Sequence, residues 1–279
     1  MRLRLGARIL ELDTPKVMGV LNVTQDSFSD GGRYFDHEAA VRQAHELREA
    51  GAAIIDIGGE STRPGAERIS EEEELDRVMP VIEEIASSSD VFISIDTSKP
   101  AVMQSAVEAG ASMINDVYAL RQVGALEAAS NLDAAVCLMH MQGEPGTMQD
   151  KPRYKDIPGD IIGFLKSRIA ACRSAGIDVE RISVDPGFGF GKTHEHNVRL
   201  LAGLARFQEL GIPLLVGLSR KRTLGALTGK DVGERLSSGI AAAVLAVQRG
   251  ANIVRTHDVA ETVDALKVTQ AVMQAGLEE

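Results

Sequence analysis

The sequence predicts an α/β fold, a (β/α)8 TIM barrel with a short N-terminal β-hairpin. Three observations carry that prediction. One phrase recurs eight times along the 279 residues: a short β-rich apolar run ending in polar residues or glycine, then a longer stretch with helical spacing of its apolar positions. Gly51, Gly110, Gly176, Gly211 and Gly250 each close a helical stretch just before the next strand, where a left-handed terminal position favours glycine. No Pro/Ser/Gly-rich linker, charge block or shift of composition divides the chain, so 1–279 reads as one domain, close to the ~250 residues usual for such a barrel. An open doubly wound sheet is the second reading of the same alternation.

Ahead of the first unit, segments 3–5 and 9–12 flank Gly6-Ala7 and read as a hairpin whose leucines could cover the lower end of the barrel. The strands then fall at 17–22, 53–57, 92–96, 113–116, 134–139, 182–185, 214–217 and 253–255. The helical patterns between and after them run over 37–50, 71–86, 100–109, 124–129, 158–175, 195–210, 233–249 and 259–275. Ser70 with Glu73, and Asp258 with Glu261, have the spacing of reciprocal capping pairs at two helix starts.

Hydrophobic residues make up 44% of the chain, enough for a core, while aromatics are 4% and Trp is absent, so the interior must be aliphatic. Seven of the aromatics, Phe28, Tyr34, Phe35, Tyr118, Tyr154, Phe188 and Phe190, fall in predicted loops, as if reserved for a mouth that holds flat rings. Lys and Arg number 30 against 40 Asp and Glu, a formal net charge of −10, which suits neither a nucleic-acid backbone nor an anionic membrane. The longest apolar run, 240–247, is far short of the ~20 residues that span a bilayer. Cys137 and Cys172 lie in apolar runs without ligand spacing, which reads as two buried small hydrophobes in a reducing, cytoplasmic chain.

A barrel gathers chemistry where its strands end. Those exits hold Asn22, then Gly58-Gly59-Glu60-Ser61-Thr62-Arg63-Pro64, then Asp96, Asn115-Asp116, His140, Asp185, Ser219-Arg220-Lys221 and Arg255-Thr256-His257. A lone Asp at a strand end is commonly a cap, but Asp96, Asn115 and Asp185 come from three strands and would face one mouth. Carboxylates gathered there need a cation, and Lys221 and Arg255 are the candidates. Two patterns fail. The stretch Gly187-Phe188-Gly189-Phe190-Gly191-Lys192-Thr193 has Pro186 where a phosphate-binding loop needs its first glycine, and it spaces its glycines wrongly for a dinucleotide fingerprint. The histidines show no zinc spacing.

Two long motifs resemble the signatures of dihydropteroate synthases: Met18-Gly-Val-Leu-Asn-Val-Thr-Gln-Asp-Ser-Phe-Ser-Asp-Gly-Gly32 and Asp56-Ile-Gly-Gly-Glu-Ser-Thr-Arg-Pro-Gly65. Ile95-Asp96-Thr97, Asn115-Asp116, the run from Asp185 to Lys192, Ser219-Arg220-Lys221 and Arg255-x-His257 are similar to that family's remaining motifs, so the likeness spans essentially the whole chain. The resemblance implies a barrel enzyme that joins 6-hydroxymethyl-7,8-dihydropterin pyrophosphate to para-aminobenzoate, releasing pyrophosphate, with Mg²⁺ as cofactor and a homodimer as assembly. It implies Asp96, Asn115, Asp185, Lys221 and Arg255 around the pterin, with Asp96, Lys221, Arg255 and His257 as catalytic residues. Asn22, Arg63, Arg220, Arg255 and His257 are implied for the pyrophosphate, with Asn22 as the metal ligand. For the aminobenzoate it implies Phe28, Thr62, Pro64, Phe190, Ser219 and Lys221, with Phe188 alongside. The Gly-, Ser- and Pro-containing loops 25–33 and 62–67 are expected to close over the substrate.

Two positions depart from that pattern. Gln25 stands where the family usually has Pro, and Arg222 where it usually has a small residue. Two other functions share such a pocket, a corrinoid-linked methyltransferase and a non-catalytic pterin-binding protein. Neither needs the pyrophosphate-side group of Arg63, Arg220, Arg255 and His257.

Overall fold

The computed structural model describes residues 1–24, 32–61, 68–144, 146, 148 and 152–276, with the side chains of 32–36 left aside. The first two strands, β1 (Arg2–Leu5) and β2 (Arg8–Glu11), form an antiparallel hairpin in which Leu3 opposes Leu10. There follow β3 (Lys16–Asn22), α1 (Gly32–Glu49), β4 (Ile54–Gly58), α2 (Glu71–Ser88), β5 (Phe92–Asp96), α3 (Pro100–Glu108), β6 (Met113–Asp116) and α4 (Ala125–Asn131). The second half runs β7 (Ala135–Met139), α5 (Ile157–Ser174), β8 (Ile182–Asp185), α6 (His194–Ala202), β9 (Leu215–Gly217), α7 (Arg222–Thr228), α8 (Leu236–Val247), β10 (Ile253–Thr256) and α9 (Val259–Ala275). Strands β3 to β10 pair in parallel, in the order β8-β7-β6-β5-β4-β3-β10-β9. A parallel bridge from Val184 to Leu214, with the Val184 N–H donating to the Pro213 carbonyl at 2.9 Å, brings the two ends of the sheet together. This is the predicted (β/α)8 barrel rather than an open sheet.

The period of two along each strand divides the aliphatic residues into two sets. Ile55, Ile57, Ile93, Ile95, Ile114, Val136, Val184 and Val216 lie in one cluster with helix residues such as Val78, Ile82, Met103, Ile161 and Leu200, between the sheet and the helices. Their alternates Met18, Ile54, Met113, Cys137, Leu215 and Ile253 form a second cluster together with Leu3, Leu5, Leu10 and Leu12 of the hairpin. The hairpin leucines therefore seal the lower end of the barrel, as predicted. Both cysteines are buried and free.

Three local readings change. The 195–210 helical pattern is two pieces, α6 and a 3-10 turn Leu204–Leu210, with Gly203 between them where a Cβ would press into Pro158. A seven-residue helix, α7, follows β9 unpredicted, and the next helix begins at Leu236 rather than at 233. Ser70 does cap α2, its hydroxyl accepting from the Glu73 N–H at 3.0 Å, but Asp258 makes no side-chain cap to α9 because Arg220 holds its carboxylate. The reciprocal capping box that does form is Thr193 with His196, at the start of α6. All five predicted helix-closing glycines have positive φ.

Candidate active site

The upper ends of the strands bring the polar residues together. Arg255 on β10 is the hub: its Nε donates to Asp56 Oδ2 at 2.6 Å and its Nη2 to Asp96 Oδ2 at 2.9 Å. The Asn115 amide donates to the same Asp56 oxygen at 3.0 Å. Asp56, two residues above the interior Ile54 on β4, is fully buried, and its other oxygen has no partner among the described residues. The strand-exit reading missed Asp56 because it sits inside its strand, and the usable signal was an Asp in a run of Ile, where a buried carboxylate demands a cation. Of the two predicted cations, Arg255 makes the ion pairs.

These groups perturb one another. Asp96 is pushed up to about 7, first by burial and then by the charge of Asp56, against the pull of Arg255. Burial lowers Arg255, but Asp56 and Asp96 outweigh it and hold the guanidinium above its ordinary value. Asp185, at the end of β8, is raised by burial while the Gly187 N–H donates to its Oδ1 at 2.7 Å. Lys221 is pushed down to about 8 by burial and then by Arg255, and its ammonium lies 4.4 Å from the centre of the Phe190 ring. No carboxylate among the described residues is within ion-pair distance of it.

Beside this cluster lies a second group. The His257 Nδ1 is 3.1 Å from the Ser219 hydroxyl, and Arg220 donates to Asp258 at 2.6 Å. Burial, and then the neighbouring Arg255 and Arg220, push His257 down to about 4, so it is a neutral hydrogen-bonding group near pH 7. Arg220 is held at φ +57°, a left-handed conformation that costs a non-glycine residue ~1–3 kcal/mol and marks functional loops. Arg235 secures it by donating to the Arg220 carbonyl at 3.0 Å. Asn22 ends β3, paired in register with Gly58.

Other residues expected at the mouth lie elsewhere. Phe188 is not a wall of the mouth: only 2% exposed, it is among the largest fully buried side chains and belongs to the outer core. Phe190 is half-buried against Met139, Met141 and Tyr118 and faces Lys221. Tyr118 and Tyr154 serve the loops, accepting from Arg68 at 2.7 Å and donating to the Gly191 carbonyl at 2.7 Å respectively. Tyr34 and Phe35 lie in α1 rather than in a loop. Asp116 turns away from the mouth to accept the Tyr118 and Leu120 N–H groups at 2.9 and 2.7 Å. Arg222 is exposed at the start of α7. Gln25, Phe28, Thr62, Arg63 and Pro64 lie outside the described residues. The chain leading to 62–67 is anchored by Lys99, which bridges Glu60 and the buried Glu74, and by Arg77, which donates to the Gly59 carbonyl at 2.9 Å.

Comparison with known proteins finds relatives over most of the chain. The model of the pterin binding enzyme family matches residues 18–257. The dihydropteroate synthase of Escherichia coli strain K12 is 51% identical over 266 residues, which is 95% of this chain and 94% of that protein. The solved structure of Xanthomonas albilineans dihydropteroate synthase with 4-aminobenzoic acid is 55% identical, with a TM-score of 0.92 over 98% of both chains. The same bacterium's enzyme in complex with 7,8-dihydropteroate is 51% identical, with a TM-score of 0.90 over 98% of this chain and 99% of that one.

Proposed function

The chain belongs to the pterin binding enzymes and among them to the dihydropteroate synthases, and from that premise we propose how its residues perform the condensation. The enzyme joins 6-hydroxymethyl-7,8-dihydropterin pyrophosphate to para-aminobenzoate, giving dihydropteroate and pyrophosphate. One observation carries the assignment of roles. Asp56, Asp96, Asn115, Asp185, Lys221 and Arg255 are packed into one mouth, beside Ser219, Arg220 and His257.

The 2-amino-4-oxo edge of a pterin presents a row of donors that the Asp185 carboxylate can accept in pairs. Asn115, its amide nitrogen already engaged by Asp56, offers its oxygen to that edge. Lys221 donates from the side of Phe190, and Phe190 with Ser219 walls the aryl amine. Arg255 is held by Asp56 and Asp96 at the mouth, where its guanidinium can lie on the pterin face and reach the leaving group. Thr62, Pro64 and Phe28 complete the aminobenzoate side in this proposal.

The leaving group is a polyanion, so charge grows on it as the bond to the pterin methylene breaks. Arg220, Arg255 and Arg63 meet that charge, and neutral His257 donates a hydrogen bond to it. An electron-rich dihydropterin can spread positive charge from the methylene into its ring, and an ionised Asp96 beside the ring favours that cation. The aryl amine is neutral near pH 7 and needs no strong base. The Ser219 hydroxyl beside His257 Nδ1 at 3.1 Å is therefore assigned to binding rather than to attack.

The donor chemistry at the end of β3 fits Mg²⁺: a single amide oxygen, that of Asn22, suits an ion that keeps several waters and binds substrate phosphates directly. Mg²⁺ would add neutralising charge to the pyrophosphate there. A homodimer through the barrel helices is the assembly we favour, and the exposed Leu245 of α8 and Val268 and Val272 of α9 support it. A cytoplasmic location is the matching proposal, supported by two buried free thiols.

Incubation with the pterin pyrophosphate, labelled aminobenzoate and Mg²⁺ tests the function. Labelled dihydropteroate and free pyrophosphate in equal amounts are the expected result. Pterin binding without product contradicts it.

A further inference from the structure

The glycine-rich stretch that fails as a phosphate loop contains a buried lysine with no role in the chemistry above. Lys192 is 3% exposed, and no carboxylate among the described residues lies within ion-pair distance of it. Its ammonium nevertheless has a full set of acceptors: the Gly187 carbonyl at 2.8 Å, the Phe190 carbonyl at 3.0 Å and His140 Nδ1 at 3.0 Å, with the His140 carbonyl further off at 3.4 Å. Three donors on a single nitrogen meet acceptors from two chain segments, which is the arrangement of a post with a loop wound around it.

The backbone makes that winding possible. Gly187 has φ +70° and Gly191 φ +61°, and a Cβ at either would run into a carbonyl oxygen, that of His140 or of Gln142. The loop is thereby pressed against the exit of β7 with its carbonyls turned inward to the ammonium. Acceptance by His140 Nδ1 places that ring's proton on Nε2. Burial and the neighbouring Lys192 push His140 down to about 2, so it stays neutral.

We propose that Lys192 is a positioning residue of the synthase site: its ammonium fixes the 185–191 segment, and through it both Asp185 and Phe190. The transmission runs through two residues. Gly187, whose carbonyl accepts from Lys192, has its own N–H on the Asp185 carboxylate at 2.7 Å. Phe190, whose carbonyl also accepts from Lys192, presents its ring to the Lys221 ammonium at 4.4 Å. Burial pushes Lys192 down to about 7 while Asp185 holds it up, and this one buried amine, through its hydrogen bonds, sets the group that reads the pterin edge and the aromatic wall of the second substrate. The Tyr154 hydroxyl adds a further tie by donating to the Gly191 carbonyl at 2.7 Å.

The inference rests on the proposed function for its meaning but can be tested apart from it. Lys192→Met keeps the length of the side chain and removes every donor, whereas Lys192→Gln keeps donors without charge. Turnover is followed for both substrates, and equilibrium binding of 6-hydroxymethyl-7,8-dihydropterin pyrophosphate is followed by its fluorescence. Lys192→Met should raise both KM values about tenfold with a smaller change in kcat, and Lys192→Gln should recover part of that loss. Tyr154→Phe, which loosens the same loop from its other side, should raise both KM values about threefold and serves if Lys192→Met does not fold. Unchanged KM values in a folded Lys192→Met protein, or unchanged KM values in Tyr154→Phe with a lowered Tm, would overturn the proposal. If wild type binds the pterin but makes no product, the synthase reading fails alone, and weaker binding by Lys192→Met still supports the post.

Discussion

The two ends of the barrel are made from the same strands and have opposite chemistry. Three strands each supply an apolar residue to the lower cluster and, two residues on, a polar one to the mouth: Ile54 then Asp56 on β4, Met113 then Asn115 on β6, Ile253 then Arg255 on β10. At the lower end Leu3, Leu5, Leu10 and Leu12 close the interior with aliphatic contact, and nothing there needs a partner. At the upper end burial is expensive, and the carboxylates Asp56 and Asp96 are tolerated only because Arg255 spans them. A rise of two residues separates the part that stabilises the fold from the part that spends stability on function.

Breaking the hub should have the largest effect. Arg255→Met leaves Asp56 and Asp96 without their cation, so we expect a loss of about 3–5 kcal/mol in stability together with a ~1,000-fold fall in kcat/KM, read by denaturant melts and steady-state kinetics. A variant that is inactive but as stable as wild type would mean that the carboxylates do not depend on Arg255.

Asp96→Asn should cost ~100-fold in kcat/KM without lowering stability, because it removes a carboxylate that burial already disfavours. The pH dependence follows from the same group. With Asp96 raised to about 7, kcat/KM should climb as pH rises through that value and the carboxyl ionises. Its contribution to stability runs the other way: present below the ordinary carboxyl range near 4, and lost as pH rises through about 7. Both slopes should flatten in Asp96→Asn.

Asp258→Asn releases Arg220 from an ion pair in which the arginine is largely exposed. A rise of about threefold in KM for the pterin substrate, with stability changed by less than ~1 kcal/mol, is expected. An unchanged KM would show that Arg220 needs no second group to be placed.

Sequence and structure agree where periodicity is strong. Strands such as Phe92–Asp96 and long helices such as Glu71–Ser88 announce themselves by spacing, and the hairpin leucines were readable as a lid. Helix α7 was not readable, because seven residues with a central glycine give too short a pattern. Asp258 looked like a cap because its spacing to Glu261 is right, yet a guanidinium outcompetes a backbone N–H for a carboxylate. The family resemblance implies Phe188 beside the aminobenzoate, but in a turn with left-handed glycines at 187, 189 and 191 the two Phe side chains part, Phe188 into the outer core and Phe190 toward Lys221. Asp56 and Lys192 share a lesson: a buried charge is visible in sequence, but its partners, Arg255 and the carbonyls of its own loop, come only with the fold.

The separation of the two ends can be measured in one paired experiment, Asp185→Ala against Leu3→Ala, each read for kcat/KM well below melting and for Tm. Asp185→Ala should lose more than ~100-fold in kcat/KM with Tm within ~2 °C of wild type. Leu3→Ala should lower Tm by about 5 °C, the equivalent of ~3 kcal/mol for a buried leucine in a chain of this size, with kcat/KM within about twofold of wild type. Leu3→Ala losing activity as Asp185→Ala does, or Asp185→Ala unfolding while retaining kcat/KM, would contradict the division of labour between floor and mouth.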